Sequence, residues 1–279
     1  GSSESPYKKI TTAVNAAIAG DTVLVAKGTY LDNIILTKEL TIITLSTQAN
    51  TILKPLLPNS QIVNFTSGSN SSKLSGFTLT GGGNVRGSAI DCNFSSPTIE
   101  KCIITNSGGE APIRYYYSDA VINNCLIYKN TGSSVFFYDP IPVAPKVNHT
   151  TIVYNSGIGT GSSNTSVIPV FTNCIIYGNT GGTYGGNINI LNSVIQGVYP
   201  GNETNVNANP KFIDSLINDY RLQDYSPAIG LGTAITSITK DFEGNNKPLP
   251  AGSEPDAGAY ENIFDHPAPV HRRRVGRIV

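Results

Sequence analysis

The chain has 279 residues, formal net charge zero and only 14% charged residues. Its surface is therefore neutral and rich in Asn, Ser, Thr and Gly, which argues against nucleic acid as a partner for the body of the chain. No run of about 18 apolar residues exists to span a membrane as a helix.

Taken in order, Gly1-Ser2-Ser3 reads as a mature terminus or a cloning scar, so an export signal, if there was one, is already gone. Ser5-Pro6 then introduces Tyr7–Ala19 (YKKITTAVNAAIA), predicted to be a helix with Ser5 as N-cap and Pro6 at its first position. Ile10, Ala13, Val14, Ala17 and Ile18 give it one apolar stripe, and Gly20 ends it. Residues 1–20 are read as a segment that caps the open, apolar end of a solenoid.

From Thr22 to about Gly197 short β segments alternate with Gly, Asn, Ser and Pro. Val121–Gly132 (VINNCLIYKNTG) returns as Thr98–Gly108 (TIEKCIITNSG) and Val170–Gly181 (VFTNCIIYGNTG). Looser copies stand at Lys73–Gly82, Val147–Gly157 and Ile190–Gly197. A period of roughly 20–25 residues means a solenoid. The alignment puts Phe77, Cys102, Cys125, Thr151, Cys174 and Ser193 in one column, with Ile122, Cys125 and Ile127 inside and Asn123 and Leu126 outside. Asn124, Asn173 and Asn192 fill a corner column, where asparagine tolerates left-handed backbone and can bond to its neighbours above and below. A second repeated strand aligns Ala89–Cys92 with Pro112–Tyr115 and Ser134–Phe137, which turns Asp91, Arg114 and Phe136 outward. Strands that pair with their counterparts one coil on make a parallel β-helix, right-handed by crossover chirality. Cys92, Cys102, Cys125 and Cys174 lack metal-ligand spacing and read as free buried thiols.

Residues 6–45, and the coil GSAIDCNFSSPTIEKCIITNSG at 87–108, resemble bacterial right-handed parallel β-helix proteins of the pectate-lyase-like type. Asn209–Phe212, Asp219–Leu222, Ser226–Gly230, Asp241–Pro248 and Asp256–Glu261 resemble the choice-of-anchor Q domain of secreted bacterial proteins. The resemblance implies an all-β solenoid and an extracellular or cell-surface setting, and leaves substrate open, because one fold hosts many functions. Residues 21–204 are then the coils and 205–262 irregular final coils with a C-terminal cap. Within that cap Asp219, Arg221, Asp241, Asp256 and Glu261 are read as polar ties between loops. Residues 263–279 form a basic tail, whose Arg272, Arg273, Arg274 and Arg277 suit an acidic surface, a membrane or a second subunit.

No nucleophile motif, phosphate loop or HExxH appears. Function is therefore sought on outward columns. Tyr128, Tyr154 and Tyr177 stack in one column, and tyrosine offers a sugar an apolar face and a hydroxyl at its edge. Tyr116, Tyr117, Phe136 and Tyr138 enlarge the aromatic area on the neighbouring strand. The same tyrosines also suit a plain turn cover. Asp91 and Arg114, with Glu100, Lys101 and Lys129, are the candidates for acid–base chemistry; an Asp91–Arg114 ion pair is the plainer reading of the first two, and the repeats do not bring Asp139 together with Asp91 and Glu100. Lyases of the resembling fold need a base and a cation or calcium ion to neutralise a uronate carboxylate, but the acidic cluster for calcium is missing here. Metal ligands are not expected. Three readings stand: a surface protein that binds polysaccharide, a polysaccharide lyase or glycoside hydrolase, and a self-associating structural protein.

Overall fold

The computed structural model describes residues 1–2, 4–138, 144–161, 168–199 and 203–263, with Phe137 described by its backbone alone. Asp139 and the basic tail from Asp265 onward lie outside the described residues. Among the described residues the strands form three parallel sheets of eight, nine and five strands, plus one antiparallel pair. Each sheet is one face of a coil that climbs by one strand per turn. The first face runs from Thr22–Val25 through Thr98–Glu100 and Val121–Asn123 to Asn189–Leu191. The second runs from Gly28–Leu31 through Ile103–Thr105 and Leu126–Tyr128 to Val206–Asn207. The third stacks Ile34–Leu36, Val63–Phe65, Ile90–Asn93, Ile113–Tyr116 and Phe136–Tyr138.

Alternation along three-residue strands explains the core. The middle residue of each first-face strand points inward, and Ile42, Leu74, Ile99, Ile122, Val147, Phe171 and Ile190 are fully buried. Leu79, Ile104, Ile127, Ile152 and Ile176 do the same on the second face. Burying each such side chain stabilises the fold by about 1.5–3 kcal/mol. The four cysteines are free and buried, as expected.

Corners are set by backbone handedness. Between first and second faces, Gly76, Lys101, Asn124, His149, Asn173 and Asn192 all have positive φ, from 45° to 86°. A second left-handed column follows the second face: Gly81, Asn106, Lys129, Tyr154, Gly178 and Gly197. Next to it runs an internal ladder that the repeats contain without advertising it. Asn130 donates from Nδ2 to Asn155 Oδ1 at 2.9 Å, and Asn155 does the same to Asn179 Oδ1 at 2.9 Å. The backbone N–H groups of Ser107, Asn130 and Asn155 each donate to the Oδ1 one coil on. These amides supply the hydrogen bonds that a turning backbone inside the coil would lose.

Three expectations change. The helix is shorter, Ile10–Ala16, and its N-cap is Lys9 with no side-chain cap bond. Ile10 and Val14 are buried against the first coil while Ile18 is exposed. The helix stops early because Ala17 turns extended, and Lys38 takes the carbonyls of Asn15 and Ala17. The reference column holds Thr150 instead of Thr151, since Thr151 pairs with Leu126 and Ile175 on the second face. Finally, Phe136 pairs with Ile113 and Tyr138 with Tyr115, so both point into the core, each 1% exposed. The connection from Tyr128 to Phe136 is as long as the one from Thr105 to Ile113, which puts Phe136 one position away from the outward column. Tyr115 and Tyr138 stack inside the coil at 5.2 Å.

After Val206–Asn207 the chain does not continue the coil. It folds an antiparallel pair, Phe212–Asp214 with Asp219–Leu222, and lies along the outward side of the second face. There Phe212, Tyr220, Leu222, Ala228, Phe242, Ala257 and Ala259 pack on Leu126, Val153, Ile175 and Val194. A second, lateral core results. Gly258 comes so close that an added Cβ would stand 2.6 Å from Ile175 Cδ1. The corner residues hold the segment by polar bonds. Asn124 Nδ2 donates to Lys240 O at 2.8 Å, Asn173 Nδ2 to Thr233 O at 2.8 Å, and His149 Nδ1 lies 3.2 Å from Asp256 O.

Candidate functional site

The predicted tyrosine stripe lies beneath this C-terminal segment. Tyr128 and Tyr154 contact the buried Tyr220, ring centroids 5.1 and 6.0 Å apart, and Tyr177 packs into the same lateral core. Burial pushes the Tyr128 hydroxyl above its ordinary range. The stripe is also not one column, because Tyr128 and Tyr177 both pair with Val153 while Tyr154 occupies the left-handed corner one residue further on. A face carrying Leu126, Val153, Ile175 and Val194 is too apolar to leave in water, and the chain covers it itself.

The predicted acid–base residues are not brought together. Glu100 projects from the first face, where it pairs with Lys73 Nζ at 2.7 Å and accepts from Ser75 Oγ at 3.1 Å. Lys101 sits at the corner between first and second faces, and Lys129 at the corner after the second. Asp91 and Arg114 stand on the third face, opposite each other in register.

Under the C-terminal segment is a buried ionic group. Lys247 Nζ pairs with Glu261 Oε1 at 2.9 Å, with side chains 1% and 0% exposed. Asp256 accepts backbone N–H bonds from Gly230 and Asn262 at 2.8 and 2.7 Å. Burial, reinforced by Glu261, nonetheless raises its carboxyl to about 7. Asp241 accepts from Asn245 and from the Glu261 N–H. Burial and the Lys247 charge hold His149 well below the ordinary imidazole range. Both nitrogens of His149 are engaged, Nε2 with Asn173 Nδ2 at 2.8 Å and Nδ1 with Asp256 O. The cavity of about 200 Å³ beside His149 and Lys247 therefore offers no free general base. Asp241, Asp256 and Glu261 tie loops together, as expected of them, whereas Asp219 pairs with Arg221 on its own strand.

The third face is different, because among the described residues aromatic side chains remain exposed there. Phe94 and Tyr117, left-handed residues just past strands on successive coils, stack at 4.9 Å with planes 6° apart, and they stay 50% and 44% exposed. Tyr116 meets both edge-on, at 5.0 and 4.9 Å. The Arg114 guanidinium lies over the Tyr116 ring, 4.7 Å from its centroid. Arg114 Nη1 is 3.5 Å from Asp91 Oδ2, and the same oxygen accepts from Gln61 Nε2 at 2.9 Å. Asn64 Nδ2 in turn donates to Gln61 Oε1 at 3.1 Å. The result is an aromatic shelf bordered by a connected polar row, Asn64–Gln61–Asp91–Arg114. Such a surface offers ring faces and edges to an apolar partner and hydrogen-bonding groups beside them.

Sequence reasoning found Asp91, Arg114, Tyr116 and Tyr117 on this side. It missed Phe94 and Gln61. The available signal was that Phe94 and Tyr117 each follow a strand at equivalent positions in aligned coils.

No curated protein matches the chain. Among solved structures it is similar to one described as "Crystal structure of pectate lyase Pel9A", with 13% sequence identity, a TM-score of 0.37 and 90% of each chain covered. Residues 59–197, the coils that carry Asp91, Arg114 and the aromatic shelf, match the family model described as "Right handed beta helix region", and together with the three stacked parallel sheets this makes the chain a right-handed parallel β-helix.

Proposed function

We propose that this β-helix is a polysaccharide-binding protein of the cell surface or extracellular space, and that it grips its glycan at the third face through Phe94, Tyr116 and Tyr117. The observation that carries the reading is the exposure of Phe94 and Tyr117 as a stacked pair beside the polar row of Gln61, Asp91 and Arg114. Stacked rings left half in water are costly unless something covers them, and sugar rings present the C–H faces that suit aromatic surfaces. Binding rather than turnover is proposed because Asp91, Glu100, Lys101 and Lys129 are spread over two faces and two corners, and hydrolysis needs two convergent carboxylates.

The test is affinity electrophoresis through gels holding individual polysaccharides. Phe94→Ala and Tyr117→Ala are each expected to weaken retention about tenfold, the worth of roughly 1.4 kcal/mol of stacking. Tyr128→Ala and Tyr177→Ala, lying under the C-terminal segment, are expected to leave retention unchanged in whatever fraction remains folded. Retention of the wild type in no gel, or loss with Tyr177→Ala and not with Tyr117→Ala, overturns the assignment.

A further inference from the structure

The charges around the aromatic shelf restrict what it can take. Arg114 is the cation nearest the rings, and its guanidinium is committed three ways. It lies on the Tyr116 face, it faces Asp91 Oδ2, and only 19% of its side chain is exposed. Asp91 is itself 2% exposed and fixed from the other side by Gln61. On the neighbouring loops Arg86 pairs with Glu110 through Nε and Oε2. Past Tyr117, Asp119 is exposed, with its backbone N–H bonded to Ser96 Oγ. On this part of the third face Arg114 with Asp91 and Arg86 with Glu110 are compensated pairs, and Asp119 is a further carboxylate. A polyanion laid along it meets two cations already held by carboxylates and one repelling charge, so desolvating its carboxylates there goes largely without repayment.

From this arrangement we infer that the shelf selects uncharged glycans, and that Asp91 is the positioning residue that enforces the choice by holding the Arg114 charge. The inference rests on the glycan-binding reading above and refines it. Neutral hexose or pentose rings stack on Phe94 and Tyr117, and their hydroxyls meet the uncharged amides of Asn64 and Gln61. These contacts carry no net charge, so salt has little to screen.

The experiment compares gels of neutral glucan, galactan and xylan with gels of polygalacturonate and alginate, at low and high sodium chloride. The wild type is expected to be retained by at least one neutral polymer equally at both salt concentrations, and to run freely through both polyuronates. Asp91→Asn, nearly the same shape, releases the guanidinium. It is expected to bring retention by a polyuronate at low salt up by about tenfold, the worth of one charge-assisted hydrogen bond, and to lose that gain at high salt. Thermal melting shows whether Asp91→Asn is folded. If it is not, the salt series on the wild type decides the matter without it. Salt-sensitive retention of the wild type by a polyuronate, abolished by Tyr117→Ala, overturns the inference and leaves the binding site standing. A folded Asp91→Asn that gains nothing also overturns it. Retention in no gel at all removes both the site and the inference.

Discussion

At the residue scale, asparagine does two different jobs at the two ends of the second face. Asn124, Asn173 and Asn192 supply left-handed backbone at a corner, where Gly76, Lys101 and His149 serve equally in other coils. Asn130, Asn155 and Asn179 supply amides inside the coil, where each satisfies several backbone groups. Asn155 Nδ2 faces Ile127 O, Val153 O and Asn179 Oδ1 within 3.2 Å, and its Oδ1 accepts from Asn130. Asn155→Ala is therefore expected to leave several buried groups unsatisfied and to destabilise the protein by about 3 kcal/mol, read from urea midpoints. A loss below about 1 kcal/mol would mean that water replaces the amide. Both roles fall within the repeats. Only the corner role was legible, because Asn124, Asn173 and Asn192 recur just before the Cys and Ser of the reference column, whereas an inward amide looks like any turn asparagine.

At the element scale, the C-terminal segment decides the fate of a whole face. Its Tyr220, fully buried, touches Tyr128, Tyr154 and Phe212, so it joins segment to coil. Tyr220→Ala is expected to cost about 3–5 kcal/mol and to lower the midpoint of the entire protein. A segment that melted by itself, seen as a separate early transition in thermal unfolding with unchanged coil protection in hydrogen exchange, would show that the lateral core is not shared. The Asn, Cys and Ile columns specified the coil because each repeat carries them at nearly fixed spacing. The covering of Tyr128, Tyr154 and Tyr177 was not legible. An outward Tyr between outward Leu and Val reads equally as a ligand platform and as the floor of another layer, and no local pattern distinguishes the two.

For the molecule as a whole, the buried ionic group makes stability depend on pH. In the folded protein burial, reinforced by Glu261, raises Asp256 to about 7, while in an unfolded chain a carboxyl titrates near 4. The folded state thus binds more protons between those values, and the contribution of Asp256 is fully present below pH about 4 and lost as pH rises to about 7. Glu261, also raised by burial, acts in the same direction. His149 opposes them. Its folded pKa is lowered, so its contribution is present above the ordinary imidazole range and falls away in acid. The prediction concerns a difference: the melting temperature of the wild type minus that of Asp256→Asn should decrease steadily from pH 4 to pH 7. A difference independent of pH would mean that Asp256 is ionised throughout, held by the N–H groups of Gly230 and Asn262.

The sequence alone determined the coil: its period, its inward Ile, Val and Cys columns, its left-handed corners and the pairing of Asp91 with Arg114. These arise from contacts between residues one repeat apart, and the repeat writes them into the chain many times over. Only tertiary structure decided which outward face meets water. The packing of residues 212–260 on the second face, which covers Tyr128, Tyr154 and Tyr177, depends on contacts made once, between segments whose spacing carries no period. A repeated contact leaves a pattern in the sequence, whereas a contact made once has to be seen in the fold.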